Sequence, residues 1–345
     1  MKRKLFYQCM WLMWCLLTLV ACSAPPSQQL IAYQIDAQIW AMDPDGTKQH
    51  LLIKTDLGVF GSHWSPDGRK IAFIAMLPNG KQAVWIADSD GTNSRQVGQE
   101  MNDHTVIAWL NQNMLLTRVV TDTGRTWDNP QAHYVLDLQD GTMQEYSQGP
   151  ESVVPLPKSD RWLVWNPLPG TITLYSLKGQ SQRLFSGYGF YGPAAFDVSP
   201  FGEEIVFEGW KGAPIGPASI YRAKIVPDSS TEPQKILSLD NCGGIRWSPD
   251  GKWIALMNQS NQFYIVDAKT NKVKWTFQVE DLVEGPRPFI WSPDSRWLLV
   301  KSLNYGTPGV NNILELGKVD IQTGKVIRLT NNDQTETSID WSFVR

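Results

Sequence analysis

An all-β, seven-bladed propeller is the fold this chain predicts, on three observations. A short phrase, Trp-Ser-Pro-Asp-Gly followed by an apolar run, recurs along the sequence. Its copies fall 42 to 50 residues apart, with room for four short strands in each unit, the spacing of propeller blades. Beyond residue 22 no apolar stripe of helical period is sustained, so almost no helix is expected.

The clearest copy is Trp247-Ser248-Pro249-Asp250-Gly251, followed by Lys252-Trp253-Ile254-Ala255-Leu256. Ser first, Pro second and Gly fourth suit a type I turn, because Pro presets φ and Ser bonds back to the backbone. Trp64-Ser65-Pro66-Asp67-Gly68 and Trp291-Ser292-Pro293-Asp294-Ser295 repeat it, and Val198-Ser199-Pro200-Phe201-Gly202 is a weaker version. The copies at Trp109-Leu110-Asn111 and Leu156-Pro157-Lys158 are eroded, and the sequence ends on Trp341-Ser342-Phe343-Val344-Arg345. Each unit has a second half, such as Ala83-Val84-Trp85-Ile86-Ala87-Asp88-Ser89-Asp90-Gly91, rich in β-formers and closed by an Asp-Gly turn. Trp64, Trp109, Trp247, Trp291 and Trp341 are read as packing between blades rather than as ligand contacts.

These units resemble the TolB-type, WD-like propeller repeat, over nearly all of residues 30–345. The resemblance implies the fold. It does not imply a role in the Tol–Pal envelope system, because the chain leaves no room for the extra N-terminal domain of TolB itself. Propellers of this kind serve many unrelated functions.

Residues 30–53 carry only the second half of a unit, and residues 340–345 only the first. Joined, they complete one composite blade beside six internal ones and leave no sheet edge exposed at the closure. Six or eight blades remain compatible with the degenerate copies at 109 and 156.

The start of the chain has a different character. Lys2, Arg3 and Lys4 precede a mostly apolar stretch from Leu5 to Val20, and Leu19-Val20-Ala21-Cys22 matches the bacterial lipobox. The pattern reads as an export signal, and the apolar stretch is short for a spanning helix. The lipobox resemblance implies cleavage before Cys22 and a diacylglyceryl group on its sulfur. The expected organisation is therefore a signal peptide over 1–21, a lipidated Cys and short tether over 22–29, and a propeller over 30–345. Ser23 is not Asp, which in a two-membrane bacterium would direct the protein to the outer membrane. In a single-membrane cell it would sit on the outer face of the cell membrane. Seven extended residues, Ser23 to Gln29, reach at most about 25 Å, so the propeller is expected close to the bilayer.

With 31 basic and 34 acidic residues the chain carries a net charge of −3; without Lys2, Arg3 and Lys4 the balance is 28 to 34, or −6. That argues against nucleic acid, which needs phosphate-neutralising surface. Cys9 and Cys15 leave with the signal and Cys22 carries lipid, so Cys242 stands alone and no intrachain disulfide is expected.

In a four-stranded blade the first-to-second and third-to-fourth turns share one face of the ring. Here these are the tight Ser-Pro-Asp-Gly and Asp-Gly turns. Asp43-Pro44-Asp45-Gly46 and Asp88-Ser89-Asp90-Gly91 resemble calcium loops but lack the remaining acidic ligands, and are read as Asx turns. The opposite face carries long, uneven loops, where function tends to collect. Candidate ligand contacts there are Trp127, Tyr188, Phe190, Tyr191, Trp210 and Tyr305, since aromatics among Gly and Pro give rigid contact area. The competing reading folds them back onto the blade edges.

The catalytic reading is the weaker one. The chain has no G-x-S-x-G elbow and no ligand-spaced His or Cys pairs. Of four scattered histidines, His104 and His133 could meet on the long-loop face of neighbouring blades, beside Asp103 and Asp128, as a metal pair. No cofactor is expected. The sequence thus points to a membrane-anchored, extracytoplasmic propeller that binds or scaffolds an envelope protein, peptide or glycan. The alternative is a metal-assisted polysaccharide lyase or hydrolase on the long-loop face.

Overall fold

The computed structural model describes residues 29–120, 131–148, 152–157, 159–166, 170–189, 196–212, 218–226, 232–239, 242–280, 289–304, 314–332, 334, 336 and 338–342. Every regular element among them is a strand, and the strands form seven antiparallel sheets. Blade 1 is the composite one, ordered Ile339–Trp341, Ile31–Ile35, Gln38–Met42, His50–Leu51. Blade 2 runs Gly58–Trp64, Lys70–Met76, Gln82–Asp88, Arg95–Met101, and blade 3 runs His104–Asn111, Met114–Val120, Gln131–Asp137, Met143–Gln148. Blade 4 is Ser152–Pro155, Arg161–Asn166, Thr171–Ser176, Ser181–Ser186. Blade 5 is Phe196–Val198, Glu204–Lys211, Ser219–Lys224, Gln234–Leu237, with Tyr188–Gly189 as an added edge on Glu204–Lys211. Blades 6 and 7 are Cys242–Trp247, Trp253–Asn258, Gln262–Asp267, Lys272–Gln278 and Phe289–Trp291, Trp297–Asn304, Leu314–Asp320, Val326–Arg328.

The first strands of successive blades touch one another, so they form the inner wall of the ring. Closure is by one strand from the C-terminal end and three from the N-terminal end, rather than by two equal halves. Ile31, Ala32 and Tyr33 pair with Trp341, Asp340 and Ile339. The Leu30 amide donates to Ser342 Oγ at 2.7 Å, and the Ser342 amide donates to the Leu30 carbonyl at 2.9 Å. Residues 30–53 hold a third strand because Asp36 and Ala37, both at positive φ (46° and 58°), make the two-residue hairpin that joins Ile31–Ile35 to Gln38–Met42.

The turn chemistry explains the repeat. The Gly68 amide donates to the Ser65 carbonyl at 2.8 Å, and Ser65 Oγ donates to Asp67 while accepting from the Lys70 amide. Ser248 and Ser292 do the same. Ser295 stands in the glycine position at φ 59° and accepts from the Asp250 amide of blade 6 at 3.1 Å. The Asp-Gly turns are Asx turns: Asp45 and Asp90 accept from the amide and hydroxyl of Thr47 and Thr92.

Each anchor packs on the preceding blade. Trp64 lies with Ile39 and Ala41, Trp109 with Ile74 and Val84, Trp247 with Val206 and Ile220, Trp291 with Phe263 and Ile265, and Trp341 with Leu299 and Leu316. The Trp109 and Trp291 indoles also donate to the carbonyls of His63 (2.8 Å) and Arg246 (3.0 Å) on the inner strand before them. At the outer turns a cation from one blade reaches a carbonyl in the third-to-fourth turn of the next. Arg95 reaches Leu138, Arg222 reaches Ala268 and Lys318 reaches Pro44.

Candidate functional site: a proline-rimmed funnel

On three of the inner strands, the residue before the anchor bonds to the following blade. Asp340 Oδ2 accepts from the Trp64 amide and Asp197 Oδ2 from the Trp247 amide, both at 2.6 Å. His63 is hydrogen-bonded to the Val106 backbone. Burial pushes the Asp340 carboxyl up to about 7 and raises that of Asp197, where the Arg246 guanidinium opposes the effect. Burial likewise lowers the His63 imidazole to about 4. In each case low-dielectric surroundings penalise the charged form more than these contacts stabilise it.

Above these residues, on the tight-turn face, the ring opens into a cavity of about 410 Å³. Its rim is made by the prolines of the repeat turns, Pro66, Pro157, Pro200 and Pro249. Its walls are Trp109, Leu110, Pro155, Leu156, Val198 and Trp247, with Asp197 as the one ionisable residue lining it. It reaches blades 2 to 6 and leaves out Trp291 and Pro293 of blade 7 and Trp341 of blade 1. It therefore lies off the axis, against the blades whose anchor Trp is replaced by Leu156 and Val198. A concave, mostly apolar pocket with a few polar groups is the ordinary form of a ligand site.

The sequence expectation put the ligand on the other face, and the described residues carry little of that. Tyr188 is buried and packs on Phe185, Phe207 and Tyr221 at ring separations of 5.1 to 5.8 Å. Trp210 lies across Gly189, where an added Cβ would collide with the indole. These two aromatics fold onto the edge of blade 5. Cys22, Trp127, Phe190, Tyr191 and Tyr305 lie outside the described residues.

His104 and His133 belong to one blade, not to neighbouring blades. His104 stands opposite Val119 and His133 opposite Arg118. Adjacent residues of the middle strand point to opposite faces of the sheet, so the sheet separates the two imidazoles. The His104 amide donates to Gln82 of blade 2, whereas the His133 ring lies 5.8 Å from Tyr146, itself against Trp162 of blade 4. Both are fully buried, and burial lowers both to about 4. Among the described residues no cluster of three or more His, Cys, Asp or Glu could hold a metal ion. The Cys242 thiol donates to the Gly244 carbonyl, and burial, then Glu208, push it up to about 12, away from the reactive thiolate.

The prolines of the funnel are visible in the sequence, in the copies at 64, 156, 198 and 247. Their signal was positional: a residue repeated at one register of a closed ring must encircle the axis.

No family model matches the sequence, and no curated protein does. Solved structures share the fold. An oligogalacturonate lyase in complex with manganese is 15% identical over 83% of each chain, with a TM-score of 0.63. A functionally unknown protein from Desulfotomaculum acetoxidans is 14% identical over 91% of this chain and 99% of its own, with a TM-score of 0.64. The propeller domain of the trilobed protease of Pyrococcus furiosus, described as having an open velcro topology, is 16% identical over 89% and 95%, with a TM-score of 0.57. At such identities the likeness is one of fold.

Proposed function

We propose that this chain is a lipid-anchored, extracytoplasmic, TolB-like propeller that works as a binding or scaffold module in a bacterial cell envelope. The observation that carries the binding role is the proline-rimmed funnel. Its Pro and Trp walls suit an apolar side chain of a protein segment, or the apolar face of a sugar. Asp197 supplies one polar group to orient the ligand. The lipobox at Leu19-Val20-Ala21-Cys22 supports the anchor. The metal-assisted lyase reading loses its residues, because the sheet of blade 3 stands between His104 and His133.

Peptide and glycan arrays, crosslinking from native membrane and metal analysis test this together. A partner captured by the parent should be lost at least tenfold by Pro249→Glu. That change puts a charge on the funnel rim at a turn position most residues tolerate. Undiminished capture by the variant would remove the funnel from the account. Stoichiometric metal with turnover of a polysaccharide would replace the module by an enzyme.

A further inference from the structure

We infer that the tight-turn face is the surface this protein lays against a lipid bilayer, with turns of blades 5 and 6 entering the headgroup layer. The inference rests on the anchored reading for its orientation, and three observations on the folded chain carry it.

First, the propeller begins on that face. Leu30 is bonded to Ser342, which occupies in blade 1 the place of Ser65, Ser248 and Ser292 in the tight turns. A tether of Ser23–Gln29 spans at most about 25 Å. Inner and second strands such as Lys70–Met76 hold seven residues, about 23 Å of height. Presenting the long-loop face to the membrane would use nearly all of that reach on climbing the blade.

Second, the exposed large apolar side chains gather there. Four are found among the described residues: Phe201 (66% exposed), Val226 (42%), Val273 (40%) and Met76 (39%). Phe201 takes the Asp position of the repeat turn in blade 5, and its ring reaches the Gly251 turn of blade 6. Val226 lies just beyond the third strand of blade 5, and Val273 near the start of the fourth strand of blade 6. Only Met76 is at the long-loop end, closing the second strand of blade 2.

Third, exposed lysines surround this apolar group: Lys224, Lys252, Lys269 and Lys272. The acids on the same turns are Glu203, Glu204, Glu232, Asp250 and Asp267; Glu204 pairs with Arg222, Glu232 with Lys211 and Asp250 with Lys252, so the apolar group sits among charges of both signs. Lysine stems lie along apolar surface while their ammonium groups reach lipid phosphates, so Phe and Val beside Lys fit the headgroup layer. The tether leaves from blade 1 and the patch is on blades 5 and 6, across the ring. Two attachments on opposite sides hold the face parallel to the bilayer, and the funnel's ligand is then one presented at the membrane surface.

The test uses the full chain, reconstituted in vesicles of phosphatidylethanolamine and phosphatidylglycerol. Val226→Cys and Met76→Cys are each labelled with an environment-sensitive dye and exposed to spin-labelled lipid, and mass spectrometry of the mature N-terminus reads acylation at Cys22. Quenching several-fold stronger at 226 than at 76 is expected. Phe201→Asp, which restores the residue of the repeat, should cut that quenching at least twofold with unchanged melting. Equal or reversed quenching with Cys22 acylated would overturn the docking surface and leave the anchor standing. An unmodified Cys22 would remove the anchor, while strong quenching at 226 would still support the lipid contact. Protection of position 226 in native membrane but not in lipid vesicles would assign the face to a protein and overturn the proposal.

Discussion

Blades 6 and 7 keep the repeat phrase, and blades 4 and 5 have lost its tryptophan; the ring is built differently on the two sides. Where the phrase is intact, Trp247 and Trp291 fill the gap to the blade before them. Both are also tied by hydrogen bonds, the Trp247 amide to Asp197 and the Trp291 indole to the Arg246 carbonyl. Where it is eroded, Leu156 and Val198 still pack in one shared cluster, but both also border the funnel. Trp247 and Pro249 of an intact copy line the same funnel, so its volume lies between intact and eroded blades.

The largest expected effect breaks the ring itself. Deleting residues 340–345 removes the inner strand of blade 1, including buried Trp341 and the acceptor for the Trp64 amide. The edge of Ile31–Ile35 is left open, and cooperative stability on the order of 5–15 kcal/mol should be lost. Thermal melting and limited proteolysis read this, and a truncated protein as compact and heat-resistant as the parent would refute closure by the terminal strands.

Next comes the contrast between the two sides. Trp247→Ala should cost about 3–5 kcal/mol and Leu156→Ala about 2–3, since Leu156 is the smaller side chain. Denaturant midpoints decide it, and equal losses would mean that the anchors are interchangeable and the erosion has no structural meaning.

The smallest effect separates Asp340 from Asp197 by pH. Asp340 and Glu336 hold their protons more tightly folded than unfolded, both raised to about 7, mainly by burial. Their contribution is complete below the ordinary carboxylate range and is lost as pH rises through about 7. His63, His104 and His133, lowered from 6.5 to about 4, act in the other sense: their contribution is present above 6.5 and is lost as pH falls through about 4. Asp340→Asn keeps an acceptor for the Trp64 amide and removes the proton. It should gain on the order of 1–2 kcal/mol over the parent at pH 8 and nothing at pH 4. Asp197→Asn should gain less, because Arg246 already favours the charged form there. Urea unfolding at the two pH values checks both, and a larger gain at Asp197 would contradict the role given to Arg246.

Much of the fold could be read from residues alone. Ser-Pro-Asp-Gly makes its turn from four neighbours, and the period of the phrase pointed to seven blades with one composite, while the degenerate copies at 109 and 156 left six or eight open. The division of that blade was harder, because Asp36-Ala37 carries none of the glycine that marks a two-residue hairpin. The site was less legible. Tyr188 and Trp210 sit in a loop-like setting in sequence, yet the added pairing of Tyr188–Gly189 with Trp210 and Lys211 folds them onto blade 5.

The sequence by itself determined the strands, their turns and their closure into a ring, because these follow from local backbone preference repeated at a constant period. Only the tertiary structure decided that His104 and His133 face apart, that the turn prolines rim a funnel, and that the propeller starts on the tight-turn face. Each of those depends on register across a sheet or on position around an axis. A shift of one residue along a strand reverses the side a group faces, and no local preference encodes it.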